Sequence, residues 1–236
     1  MANYQKVENI LVGAARIYIS KGDSLDNTNL LEKSMPAFQT QKVEAYMAPS
    51  GSGATKWRDV GFTSEGLEVS YEPTYGEVEV DQLLDSARIF KTQLRVMLRT
   101  SMNEGTLENV AIAFGQRSGT RTSTVLSSSG TATAIINNYS ASGTVAQSPE
   151  ALKIEGGNLG EAPVERSLLA VGSAPSTLNA TNAERVYLAR RVLSMETVSH
   201  ALRRNEASVY PVTFRCLPDP DFDGAEYGEI LDRVYS

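Results

Sequence analysis

Residues 61–115 read GFTSEGLEVSYEPTYGEVEVDQLLDSARIFKTQLRVMLRTSMNEGTLENVAIAFG, and their patterning decides the fold. Leu67, Val69 and Tyr71 alternate with Glu68, Ser70 and Glu72. Beyond Pro73-Thr74, Val78 and Val80 alternate with Glu77, Glu79 and Asp81. A period of two is the strand period. The expectation is a hairpin turning at Pro73-Thr74, with one apolar face and one acidic face carrying Glu68, Glu72, Glu77, Glu79 and Asp81. From Asp59 to Asp85 the chain holds eight acidic residues and no Lys or Arg. The next strand, predicted over 88–102, reverses that charge. Phe90, Thr92, Leu94, Val96, Leu98 and Met102 fall on one face, with Lys91, Gln93, Arg95 and Arg99 on the other. A short amphipathic helix follows over about 106–115: Leu107, Val110, Ala111 and Phe114 recur at helical spacing, Thr106 is placed to cap it and Gly115 to end it.

Working outward, 10–19 (ILVGAARIYI) reads as a strand, and residues 20–56 as a long connection without clear structure. Connections of that length have a purpose. Residues 118–148 hold 14 Ser or Thr among 31 positions and a single charge, Arg121. That composition cannot bury a core of its own. It reads either as a surface insertion or as a hairpin over 123–136. From Ala151 the strand pattern returns in ALKIEG, SLLAVGSAP, ERVYLARRVLSM and ASVYPVTFRCLPD. The whole, 1–236, reads as a single mainly β domain, a sandwich or barrel with one short flanking helix and long loops.

The totals exclude several function classes. A net charge of −6 and a pI near 5.0 argue against tight non-specific binding to nucleic acid, which needs basic clusters. No apolar run approaches the length of a membrane span, and the first residues lack the basic head and long apolar core of a signal peptide. Cys216 is the only cysteine and rules out an internal disulfide; with Tyr210, Val212 and Phe214 it falls on one strand face, as a packed thiol. His200, the only histidine, sits in a polar stretch and reads as solvated. With one His, one Cys and no convergent motif, no enzyme and no cofactor is expected, and the carboxylates fit strand alternation better than an acid–base pair. Asp219, Asp221 and Asp223, followed by Gly224, match the opening of a calcium loop. The match fails at its twelfth position, Ile230, so the reading is a Pro-Asp turn rather than a metal site.

Four stretches occur in this order: NILVGAARIYIS (9–20), GFTSEGLEVSYEPTYGEVEVDQ (61–82), MNEGTLENVAIAFG (102–115) and VYPVTFRCLPDPDFDGAEYGEILD (209–232). Together they resemble major tail tube proteins of long-tailed, non-contractile bacteriophages. The resemblance covers most of the chain apart from 118–148, which maps to no family element. It implies a structural virion protein, assembled in the host cytoplasm. Hexameric rings would form by strand pairing at subunit edges and stack into the conduit for genome ejection, with the connection 20–56 and the N-terminal arm 1–9 as the candidates for contacts between stacked rings. Tail tip, tape measure and tail terminator proteins would be its partners, and DNA would pass without stable binding. Lumen-facing carboxylates would suit that passage, because they repel phosphates within about 8–10 Å at physiological salt. The alternatives are a tail terminator or completion protein forming one ring, and a β-rich adhesin-like binding module. The last needs aromatic platforms, and Trp57 is the only tryptophan.

Overall fold

The computed structural model describes residues 13–25, 31–38, 40–79, 81, 87–116, 121–124, 133–134, 150–152, 154, 156, 159–175, 182–196, 198–200, 204 and 207–236. It is mainly β. The strands are β1 (Arg16–Ser20), β2 (Trp57–Asp59), β3 (Thr63–Val78), β4 (Arg88–Met102), β5 (Arg121–Thr124), β6 (Thr133–Ala134), β7 (Glu150–Leu152), β8 (Arg166–Ser173), β9 (Ala183–Ser194), β10 (Tyr210–Cys216) and β11 (Gly228–Val234). Helices α1 (Val43–Met47) and α2 (Leu107–Ala113) complete the elements, with a 3-10 turn at Ser52–Thr55.

One antiparallel sheet runs β2-β1-β8-β9-β10-β4-β3, and β11 joins it along β9. Its central strands are apolar on both sides: Ile17 and Ile19 against Tyr18 in β1, Leu168 and Ala170 against Leu169 in β8. Such a sheet needs cover on both faces. α2 supplies one, packing Ile112 and Ala113 over Leu98, Met102, Val212 and Phe214. Thr106 caps α2 by accepting a bond from the Asn109 amide at 3.3 Å, and Gly115 ends it at φ +63°. The connection after β1 covers the other face. Phe38, Val43, Met47 and Trp57 close over Tyr18, Leu169, Val186 and Leu188. Buried Glu184 fixes it by accepting the Val43 amide at 3.0 Å, and the Arg233 guanidinium lies 4.9 Å from the Phe38 ring centre.

The described part of 20–56 thus covers the sheet through buried Phe38, Val43 and Met47, while Lys42, Glu44 and Ala45 stay exposed. The N-terminal arm, residues 1–9, lies outside the described residues. Within 118–148, β5 and β6 pair antiparallel through Ser123↔Ala134 and Thr124↔Thr133, as the hairpin reading of 123–136 expects, and β7 adds a third strand. Most of the segment lies outside the described residues.

The turn at Pro73-Thr74 is not there. β3 is one strand of 16 residues running through Pro73, and its partner is β4. Pro73 is tolerated because β3 is an edge strand, where a missing N–H need not break a ladder.

Candidate functional site

β3 and β4 are far longer than the sheet they join. β10 borders β4 only from Met97 to Met102, and among the described residues β3 has no partner except β4. From Tyr71 to Val78 and from Arg88 to Val96 the two strands therefore form a ribbon with, among the described residues, both backbone edges open. It also keeps apolar side chains in water: Tyr71 is 58% exposed, Tyr75 57%, Ile89 61% and Phe90 45%. A lone two-stranded ribbon is marginal in water, and open edges template pairing with other chains.

Two bulges shape this arm. Thr63 pairs with Met102 and Leu67 with Thr100, so β3 carries extra residues there; Gly66 adopts φ +69°, and Thr100 Oγ1 donates to its carbonyl at 2.7 Å. Farther out, Thr74 pairs with Gln93 but Tyr75 with Lys91, which makes Thr92 the extra residue. Gly76 lies beneath Phe90, whose ring would stand 2.9 Å from a Cβ at that position.

Two features correct the sequence-derived faces: β3 runs unbroken through Pro73, which divides its carboxylates, and the bulge at Thr92 reverses Phe90 and Lys91 on β4. Glu68 stands opposite Arg99, Glu72 opposite Arg95, and Gly76 opposite Phe90, all on one face. Glu77 stands opposite Ile89 on the other face, with Val69, Tyr71, Tyr75 and Lys91. Phe90 thus joins the arginines, and Lys91 joins the apolar residues. Lys91 Nζ donates to the Tyr71 hydroxyl at 3.0 Å, a bond that raises the lysine pKa. Glu79 and Asp81 are exposed beyond the end of β3. The five carboxylates expected on one face are therefore divided. What the strands keep is a difference of edge: β3 has Glu65, Glu68, Glu72 and Glu77 with no basic residue, and β4 has Arg88, Lys91, Arg95 and Arg99 with no acidic one.

The Asp219–Asp223 turn closes on a cation of its own. Lys33 Nζ lies 2.8 Å from Asp219 Oδ2 and 3.4 Å from Asp221 Oδ2, and the Asp221 amide donates to Asp219 Oδ1 at 3.3 Å. Burial pushes the Asp219 carboxyl upward, but Lys33 and that amide outweigh it and hold the pKa below the usual value. Asp223 is exposed. Among the described residues no three His, Cys, Asp or Glu side chains are grouped to hold a metal ion. Buried Arg190 ties the turn down: its Nε donates to the Ala225 carbonyl at 3.0 Å, its Nη1 to the Lys33 carbonyl at 2.5 Å, and its guanidinium stacks 3.8 Å from the Phe222 ring centre.

Cys216 is buried on the face shared by Tyr210, Val212 and Phe214, and burial pushes its thiol up to about 12. His200 is exposed, as expected, yet its ring also stacks 4.6 Å from Tyr210 and 6.4 Å from Phe114. A surface depression beside Gly61 and Phe62 contains Arg16, whose guanidinium is taken up by Asp59 at 2.7 Å and by Glu44.

Sequence reasoning missed two open edges, those of β4 beyond β10 and of β11. The charge reversal between residues 59–85 and 88–99 was the visible signal for the first. No protein-family model matches the chain, and none of the curated proteins matches it.

Proposed function

We propose that this chain is a structural, self-assembling protein, the subunit of the tail tube of a non-contractile phage tail. The observation that carries the reading is the arm: a ribbon with two open edges of opposite charge. Copies set side by side place the acidic β3 edge of one against the basic β4 edge of the next. The new pairs are antiparallel, Glu faces Arg, and Tyr71, Tyr75 and Ile89 leave water together. A contact between two different surfaces repeats head to tail, and it makes a ring when the rotation closes. The resemblance in sequence adds the number six, the stacking of rings, and the partners: tail tip, tape measure and tail terminator proteins, with DNA in transit. Assembly would take place in the host cytoplasm and the product would reside in the virion.

In that arrangement the face away from α2 lines the lumen. Of the five carboxylates expected there, Glu68 and Glu72 remain on that face, beside Arg99 and Arg95. The lining along this stretch is then near charge balance rather than a wall of carboxylates, which still denies DNA a basic surface to hold. The reading needs no catalytic residue and no cofactor. An adhesin-like module is disfavoured, because Trp57 is buried in the core and supplies no platform. A terminator would use the same edges but stop at one ring.

Negative-stain electron microscopy across a range of concentrations tests the proposal. Hollow tubes of uniform width, or rings that stack as concentration rises, are expected. Rings that never stack would favour the terminator, and a monomer at every concentration, even with a tail-tip seed, would overturn the assignment.

A further inference from the structure

The sheet has a second open edge beside the arm. β10 and β11 occupy the same side of β9 in succession, β10 along Val192–Ser194 and β11 along Ala183–Ala189. β4 runs past the end of β10 in that direction, from Leu98 opposite Phe214 toward Arg88. The outer edges of β4 and β11 therefore leave one junction side by side, but no pairing joins them. Among the described residues β11 pairs only with β9, which leaves its outer side without a strand. Tyr235 donates to the Asn182 carbonyl at 3.0 Å, which makes that a bonded pair. Alternation then turns the amides of Ile230, Asp232 and Val234 away from β9.

Registers and charges match across the gap. The β8–β9 pairing takes two steps on β8, from Arg166 to Leu168, against three on β9, from Val192 to Ala189. Allowing for that bulge and the one at Thr92, Lys91 comes level with Ile230 and Ile89 with Asp232. All four side chains lie on the face that α2 covers. Ile230 is 64% exposed, and so open to the contact. β4 brings Arg88, Lys91 and Arg95, while β11 brings Glu229 and Asp232, which within the subunit also meet Arg190 at 3.4 Å and Arg185 at 2.5 Å; its Arg233 is directed to Glu184 at 3.5 Å.

We infer that β11 is the resident partner of the outer β4 edge: in the free subunit the arm closes onto β11, and the β3 of a second copy must displace it. Closure within one chain has the advantage of high effective concentration and blunts an edge that would otherwise pair indiscriminately. The bulges at Gly66 and Thr92 are where the ribbon can swing. The competition with a second copy rests on the proposed tube assembly; the closure does not.

The test is the double variant Lys91→Cys/Ile230→Cys, oxidised at high dilution, since bridged residues must bring their Cα atoms within about 7 Å. Cys216 is buried and does not compete. The expected product is an intrachain disulfide, a monomer of increased mobility on a non-reducing gel that neither single variant gives. Hydrogen exchange on the unaltered chain should show the Ile230, Asp232 and Val234 amides slowed about tenfold or more. No disulfide or only interchain disulfides, with those amides exchanging as in open chain, would overturn the inference. In assembly, Ile230→Lys places a positive charge against Lys91 and should shift tube formation to lower protein concentration. An intrachain disulfide in a protein that never polymerises would uphold the closure and sink the tube reading alone.

Discussion

The two ends of β4 share one sequence pattern and have opposite fates. Leu98 and Met102, at its inner end, are 5% and 0% exposed, with β10 beside them and α2 above. Ile89, at its outer end on the same face, is in water because β10 stops at Met97 and α2 reaches no farther, and Phe90, turned to the other face by the bulge, is in water too. Apolar alternation specifies a face to be buried. It does not say whether the cover comes from the same chain. The inner end is a completed core, and the outer end is an incomplete one that a second strand can finish.

That contrast can be broken most forcefully at the edge charges. Replacing Arg88, Lys91 and Arg95 together by Glu should abolish association and leave the monomer folded, read by sedimentation and circular dichroism. Within the core, Phe214→Ala removes a fully buried ring and should cost about 3–5 kcal/mol in denaturant unfolding. Its counterpart on the arm, Tyr75→Ala, should stay within about 0.5 kcal/mol in the monomer and yet weaken assembly. A comparable loss for both would show that the β3 side chains of the arm are already buried in the monomer.

Thr106→Ala deletes the cap of α2 and should cost about 1 kcal/mol by the same measurement. The smallest effect is at acid pH. Asp232 is held below its usual pKa by the hydrogen bonds of Arg185, whose Nε and Nη2 lie 2.5 and 2.6 Å away, and Asp219 is lowered by Lys33. A lowered carboxylate contributes stability above its unfolded value, near pH 4, and the contribution is lost as pH falls through the folded value. Urea midpoints should therefore fall below about pH 4, and Asp232→Asn should flatten that fall.

How far the sequence foretold these regions follows from where the determining contacts are. α2 is coded within ten residues, from Thr106 to Gly115, and β10 shows its buried face in Tyr210, Val212, Phe214 and Cys216; both were legible. The faces of the arm were not, because β3 continues through Pro73 and carries Glu77 to the other face, and because one extra residue at Thr92 inverts the phase of β4, which nothing in the local pattern marks. Pro73 read as a turn because its cost depends on having a neighbour on both sides, which β3 lacks. β11 hid in an acidic, Gly-containing tail, since only the distant edge of β9 makes it a strand. The cover provided by Phe38, Val43 and Met47 had an indirect signal. SLLAV (167–171) is apolar without alternation, the mark of a strand buried on both faces, and something had to lie over the second one.

The pairing of opposite edges is tested most directly by charge exchange. One variant carries Glu at Arg88, Lys91 and Arg95; the other carries Lys at Glu68, Glu72 and Glu77. Each alone has two edges of like sign and should remain monomeric, while a one-to-one mixture restores Glu against Lys or Arg at every junction. Rings or tubes that appear only in the mixture, seen by electron microscopy beside the unaltered protein, are the expected result. Assembly of either variant alone, or folded variants that never associate when mixed, would contradict edge-to-edge pairing of the arms.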